Sequence, residues 1–143
     1  IGMAGLNPLR GPNVDELGPR FPDMSQPYEP QLGSLARQVA KEESLPLHEG
    51  VYICLAGPSY ETMADLHFLR TIGANAVGMS TVLESRCAAL LGMNVAGCSF
   101  ISNMLRDTHS MPLTHDEVLK NASLAEMKIS GFFVAAIEAF LNF

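Results

Sequence analysis

The chain has 143 residues, a net charge of −6, 48% hydrophobic residues and no tryptophan. That length suits one domain able to bury roughly 68–70% of its unfolded surface. The acidic balance, with nine scattered Lys and Arg, argues against a nucleic-acid backbone as the main partner, and no apolar run reaches the ~20 residues that span a bilayer.

The opening residue is Ile1, not Met, which leads us to expect a chain cut from something longer, and no signal peptide is visible. Residues 1–34 carry six prolines, so neither a long helix nor a central strand is expected there. A long irregular segment of this kind is usually functional or disordered. The spacing of Leu35, Ala36 and Val39 predicts a helix over Ser34–Glu43. "VYICLAG" then reads as a buried strand, followed by a helix over Ser59–Ile72 that Gly73 stops. "NAVGMS" reads as a second strand, followed by a helix to about Leu91 stopped by Gly92, and "NVAGCSFIS" as a third strand. Thr114 and Glu117 make a T-x-x-E capping box for a last helix whose apolar positions, from Val118 to Phe140, predict one broad buried face. Strands alternating with helices imply α/β architecture, with a largely parallel sheet flanked by helices. Cys54, Cys87 and Cys98 have no C-x-x-C spacing and sit in apolar runs, which suggests reduced, buried thiols in a cytosolic protein.

Ligands of open α/β sheets bind beyond the carboxyl ends of the strands. Those ends carry Gly57-Pro58-Ser59-Tyr60-Glu61, then Val77-Gly78-Met79-Ser80-Thr81, then Ser99-Phe100-Ile101-Ser102-Asn103. Tyr60 offers a flat face, Glu61 an acceptor, and Asn103 an amide that donates and accepts. Ser80 offers a hydroxyl beside a helix start, where an anion is favoured. The set suits a planar hydrogen-bonding heterocycle with an anion nearby. Each residue alone has a plainer reading: Glu61 as a helix-start acid, Ser59 and Ser80 as caps, Met79 as core, Asn103 as a turn residue. On residues alone, the conclusion stops at a small-molecule site.

"AGPSYET", "GANAVGMST", "NPLRGPN", "RFPDM" and "HDEVL" together resemble the trimeric purine nucleoside phosphorylases, over nearly the whole chain. The resemblance covers the C-terminal portion of a single nucleoside phosphorylase domain, so residues 1–143 are expected to be a partial domain with a nucleoside phosphorylase-like fold. It implies reversible phosphorolysis of 6-oxopurine (deoxy)ribonucleosides, inosine and guanosine, to base and pentose 1-phosphate in purine salvage. It also implies a cytoplasmic homotrimer, with inorganic phosphate as co-substrate and no metal or organic cofactor. In the roles it implies, Glu61 accepts the purine N1–H and Asn103 pairs with N7 and O6. Tyr60 packs on the base where the family often has Phe, and Val77 and Met79 wall the base and ribose. Ser102 stands beside Asn103 in the substrate site, where vertebrate-type members have Thr. Ser80 is the phosphate ligand, His115 faces the ribose 5′-hydroxyl, and Phe21 reaches into a neighbouring subunit's site.

The sequence departs from the family where Leu83 replaces a common Pro, where Ala89 and Leu90 replace an Arg-His pair, and where Met104 replaces a lysine of some members. Two other readings compete. A methylthioadenosine phosphorylase would place acids where Asn103 stands, so Asn103 favours 6-oxopurines. A non-catalytic, incomplete module would keep the fold without the chemistry. His48, His67, His109 and His115 are scattered and lack metal-ligand spacing.

Overall fold

A computed structural model describes residues 1–3, 5, 7–105 and 114–142. Its elements run α1 (Pro30–Glu42), β1 (Tyr52–Cys54), α2 (Met63–Thr71), β2 (Ala76–Gly78), α3 (Val82–Leu90) and α4 (His115–Phe140). β1 and β2 pair in parallel, with Ile53 opposite Val77, so β1-α2-β2 is the βαβ unit that the alternating pattern requires. Gly2 forms a parallel bridge with Cys54 on the other edge of β1. There the Cys54 amide donates to Ile1 O and the Met3 amide to Cys54 O, both at 2.9 Å. The proline-rich segment holds no central strand, as expected, but supplies one strand-like rung at its start, where Ile1–Met3 precede its first proline. β1 is thus covered on both edges, and Ile53 and Cys54 are fully buried. Burial, reinforced by the Glu84 charge, pushes the Cys54 thiol above its ordinary pKa.

α1 begins four residues earlier than predicted. Pro30 takes the first helical position, where a missing N–H costs nothing, and the Glu29 carboxylate accepts from the Gln31 amide at 3.1 Å. α2 begins four residues later. Its N-cap is Thr62, not Ser59: Thr62 Oγ1 accepts from the Asp65 amide (3.2 Å) and Asp65 Oδ2 accepts from the Thr62 amide (2.8 Å). This closed box outcompetes Ser59. At α4 Thr114 is the cap as predicted, with Oγ1 accepting from the Glu117 amide at 3.3 Å. Gly73 (φ 86°) and Gly92 (φ 65°) end α2 and α3 as expected, each in the left-handed conformation that glycine adopts without penalty.

The third expected strand, Asn94–Ser102, is not one: residues 93–105 have no regular structure. A strand exists only as part of a ladder, and from Asn94 to Leu105 the backbone bond among the described residues is a single one, Glu29 N–H to Val95 O at 2.8 Å. The main core lies where α4 crosses α1: Val39 and Ala40 pack with Phe132 and Ala136, walled by Leu45 and Leu47. The broad buried face predicted for α4 narrows to those two positions, with Phe133, Ile137 and Leu124 exposed. Of the cysteines only Cys54 is buried; Cys87 is intermediate and Cys98 exposed. The accessible surface is 10343 Å², against roughly 7,200 Å² for a compact monomer of this mass. The self-contained core that the length allows is only partly built.

Candidate functional site

Two of the three strand-end segments meet. A hollow of about 330 Å³ is lined by Val77, Met79 and Ser80 from the end of β2, by Cys98 and Phe100 from the irregular stretch, and by Tyr52 from β1. The segment after β1 touches it through Met79. Gly57 (φ 58°) packs so closely on the Met79 thioether that a Cβ there would collide with Sδ. The absence of a side chain at position 57 is what admits Met79.

Tyr60 and Glu61 lie in the loop ahead of α2, not in its first turn, because the helix starts at Met63. Tyr60 is exposed and Glu61 half-buried, and neither lines the hollow. Glu61 therefore does not serve as a helix-start acid; Asp65 takes that place, and its hydrogen bonds from Thr62 hold the carboxyl below its usual pKa. Ser102 is tied down through its backbone: Asn121 Nδ2 of α4 donates to Ser102 O at 2.7 Å. Asn103 next to it is half-buried, with Oδ1 buried and without a hydrogen-bond partner among the described residues. An acceptor left in that state is costly until something donates to it. His115 opens α4 in solvent, and Phe21 is 89% exposed, with the Arg20 guanidinium 5.9 Å from its ring centre. His109 lies outside the described residues, and among those described no cluster of metal-ligating side chains occurs.

Ser80 departs from its plain reading as a cap. The N-cap of α3 is Thr81, and no side chain caps that helix. Ser80 instead meets Tyr52: its amide donates to the Tyr52 hydroxyl at 3.3 Å, with the two hydroxyls 3.5 Å apart. The ring crosses Gly78, where any Cβ would strike the hydroxyl. Sequence reasoning missed Tyr52. The signal lay in the alternation of "VYIC", which puts Tyr52 on the opposite face from the buried Ile53.

This arrangement can be set beside known proteins. The family model for the phosphorylase superfamily matches residues 1–138. Purine nucleoside phosphorylase 1 of Bacillus subtilis is 51% identical over 120 residues, covering 84% of this chain and 44% of its own. The Geobacillus stearothermophilus enzyme of the same name is 45% identical over 142 residues, covering 99% and 50%. The chain thus spans about half the length of these relatives. Schistosoma purine nucleoside phosphorylase, solved with hypoxanthine, with guanosine and with adenosine, superposes at a TM-score of 0.91 with 35% identity, over 96% of this chain and 52% of the other. A fold this close, an identity this high and a match running from the first strand-like rung to the last turns of α4 place the chain in the phosphorylase superfamily.

Proposed function

We propose that this chain forms the C-terminal part of a purine nucleoside phosphorylase domain. The reaction is reversible phosphorolysis of 6-oxopurine nucleosides, in which phosphate displaces the purine from C1′ to give free base and pentose 1-phosphate. The observation that carries the reading is Asn103. Its orphaned, buried acceptor sits in the irregular stretch after α3 of a chain superposing on a phosphorylase solved with hypoxanthine. As the glycosidic bond breaks, negative charge gathers on the purine and positive charge on the sugar. The orphaned Oδ1 can accept only from a donor, such as the N7–H of a protonated purine, while Asn103 Nδ2 would donate to O6. Donation where negative charge develops favours that transition state over the ground state, typically by about 3–4 kcal/mol.

In this reading Glu61 takes the N1–H and Tyr60 covers the base. Val77, Met79 and Ser102 shape the base and ribose walls, Ser80 holds phosphate, and His115 addresses the 5′-hydroxyl. Phosphate both attacks and balances the cationic sugar, so the step calls for no metal or organic cofactor. The exposed Phe21 suits a trimer in which each subunit lends an aromatic to its neighbour's site. Purine salvage in the cytoplasm is the corresponding setting.

Isothermal titration of the chain with hypoxanthine in the presence of phosphate tests the reading. Saturable binding supports it, and a flat titration overturns it for this chain. The second reading, a non-catalytic module, is favoured by the ladderless 93–105 stretch and predicts that flat result. Base selection is tested in the enzyme completed by the rest of the domain. There Asn103→Asp should shift preference from inosine towards adenosine, since sites built to hydrogen-bond a group discriminate strongly. An unchanged inosine-to-adenosine ratio would show that Asn103 does not read the base.

A further inference from the structure

The turn that joins β2 to α3 is bent in an uncommon way. Thr81 has φ 74° and ψ −47°, and the Val82 amide donates across it to Ser80 O at 2.8 Å. That is a γ-turn of the positive-φ kind, rare and strained for any residue but glycine and worst for a β-branched one. Such a conformation persists only where its surroundings hold it.

The surroundings here are hydroxyls on both sides. On the helix side the Ser85 amide and Oγ both donate to Thr81 O, at 2.9 and 2.6 Å. Ser85 is 5% exposed, the one buried polar side chain among the described residues. Its single proton is spent on Thr81, so the Tyr28 hydroxyl, 3.2 Å away, must be the donor to Ser85 Oγ. On the strand side the Tyr52 hydroxyl accepts the Ser80 amide at 3.3 Å, and Ser80 Oγ lies 3.2 Å from Thr81 Oγ1. Five side chains, from the proline-rich segment, β1, the turn and α3, thus form two arms that grip the chain on either side of the turn, one at the Ser80 amide and one at the Thr81 carbonyl.

The geometry points to Tyr52 and Ser85 as positioning residues: they hold the strained Thr81 turn so that Ser80 presents its hydroxyl to phosphate. This rests on the phosphorylase reading above. It adds two residues that do not touch the reacting atoms, together with a reason for the strain. A relaxed turn would swing Ser80 away from the hollow that it shares with Met79.

The test is a mutant cycle on the 143-residue chain, using Tyr52→Phe, Ser85→Ala and Thr81→Gly singly and in pairs. Glycine adopts positive φ freely, so Thr81→Gly removes the strain that the two arms oppose. Each arm variant should lower the melting temperature by a few degrees and weaken inorganic phosphate binding about 2- to 10-fold, with hypoxanthine affinity unchanged. Adding Thr81→Gly should recover much of both losses, a coupling that a bond serving packing alone would not show. Additive losses, or phosphate and hypoxanthine binding falling together, overturn the assignment. Should Tyr52→Phe not fold, Ser85→Ala carries the same readout from the other arm. If the wild-type chain binds neither ligand, the phosphorylase reading fails and the phosphate role falls with it. The melting-temperature cycle then still decides whether the arms hold the turn.

Discussion

The α1–α4 crossing and the strand-end edge solve opposite problems within one chain. At the crossing, Val39, Ala40, Phe132 and Ala136 bury one another using two helices that the chain fully supplies. At the edge, Met79, Phe100 and Ile101 stand 45% or more exposed around an open hollow. The first region is finished by local periodicity plus one long-range contact. The second leaves its apolar side chains open among the described residues. Stability and binding should therefore fail separately when residues are removed, one region at a time.

The largest expected effect is on stability. Phe132→Ala removes an aromatic that is 2% exposed at the centre of the crossing and should cost about 3–5 kcal/mol, read from urea denaturation followed by helical circular dichroism. A loss below about 1 kcal/mol would mean that the crossing does not hold the chain together.

Next in size is Glu61→Ala, which should weaken hypoxanthine binding by about 1–3 kcal/mol, because the base's N1–H loses a charged acceptor. Glu61 has no hydrogen-bond partner among the described residues, so stability should stay within about 0.5 kcal/mol. A variant that binds normally but melts early would move Glu61 from the site to the scaffold.

Thr62→Ala should cost about 1 kcal/mol by opening the cap of α2. Its pH dependence has a definite sign. The Thr62 bonds lower the Asp65 pKa in the folded chain, so their stabilisation is present above the unfolded carboxylate pKa and lost as pH falls through the folded one. Thermal melts of wild type and variant should differ most near neutral pH and less in strong acid, where the Thr62 Oγ1 cap on the Asp65 amide still separates them. The smallest effect belongs to Tyr60→Phe, which keeps the apolar face and should leave hypoxanthine affinity within a few-fold. A collapse there with Glu61→Ala silent would reverse the roles of the two residues.

What the sequence made legible follows from range. Gly73, Gly92 and Thr114 act within a few residues, and they stop or start their helices where expected. The start of α2 was misplaced because two hydroxyl residues competed, and the carboxylate three positions on from Thr62 decided between them. The stretch from Asn94 to Ser102 has the composition of a strand, but composition cannot supply the neighbour that a ladder requires. At the site, the ends of β1 and β2 were readable, and the third strand end was not. The Thr81 turn was not, since its strain is held by Tyr28, Tyr52 and Ser85, and Tyr28 and Tyr52 are remote in sequence.

The open surface of the folded chain also bears on its heat capacity. Unfolding raises heat capacity because apolar groups newly meet water, and a 143-residue domain normally gains about 1.7–2.1 kcal/mol/K. This chain already shows water 10343 Å², with Leu124, Met127 and Leu141 among its most exposed side chains, so less remains to be uncovered. Its calorimetric step should be smaller than its length implies, its denaturant slope shallower, and its stability curve flatter with temperature.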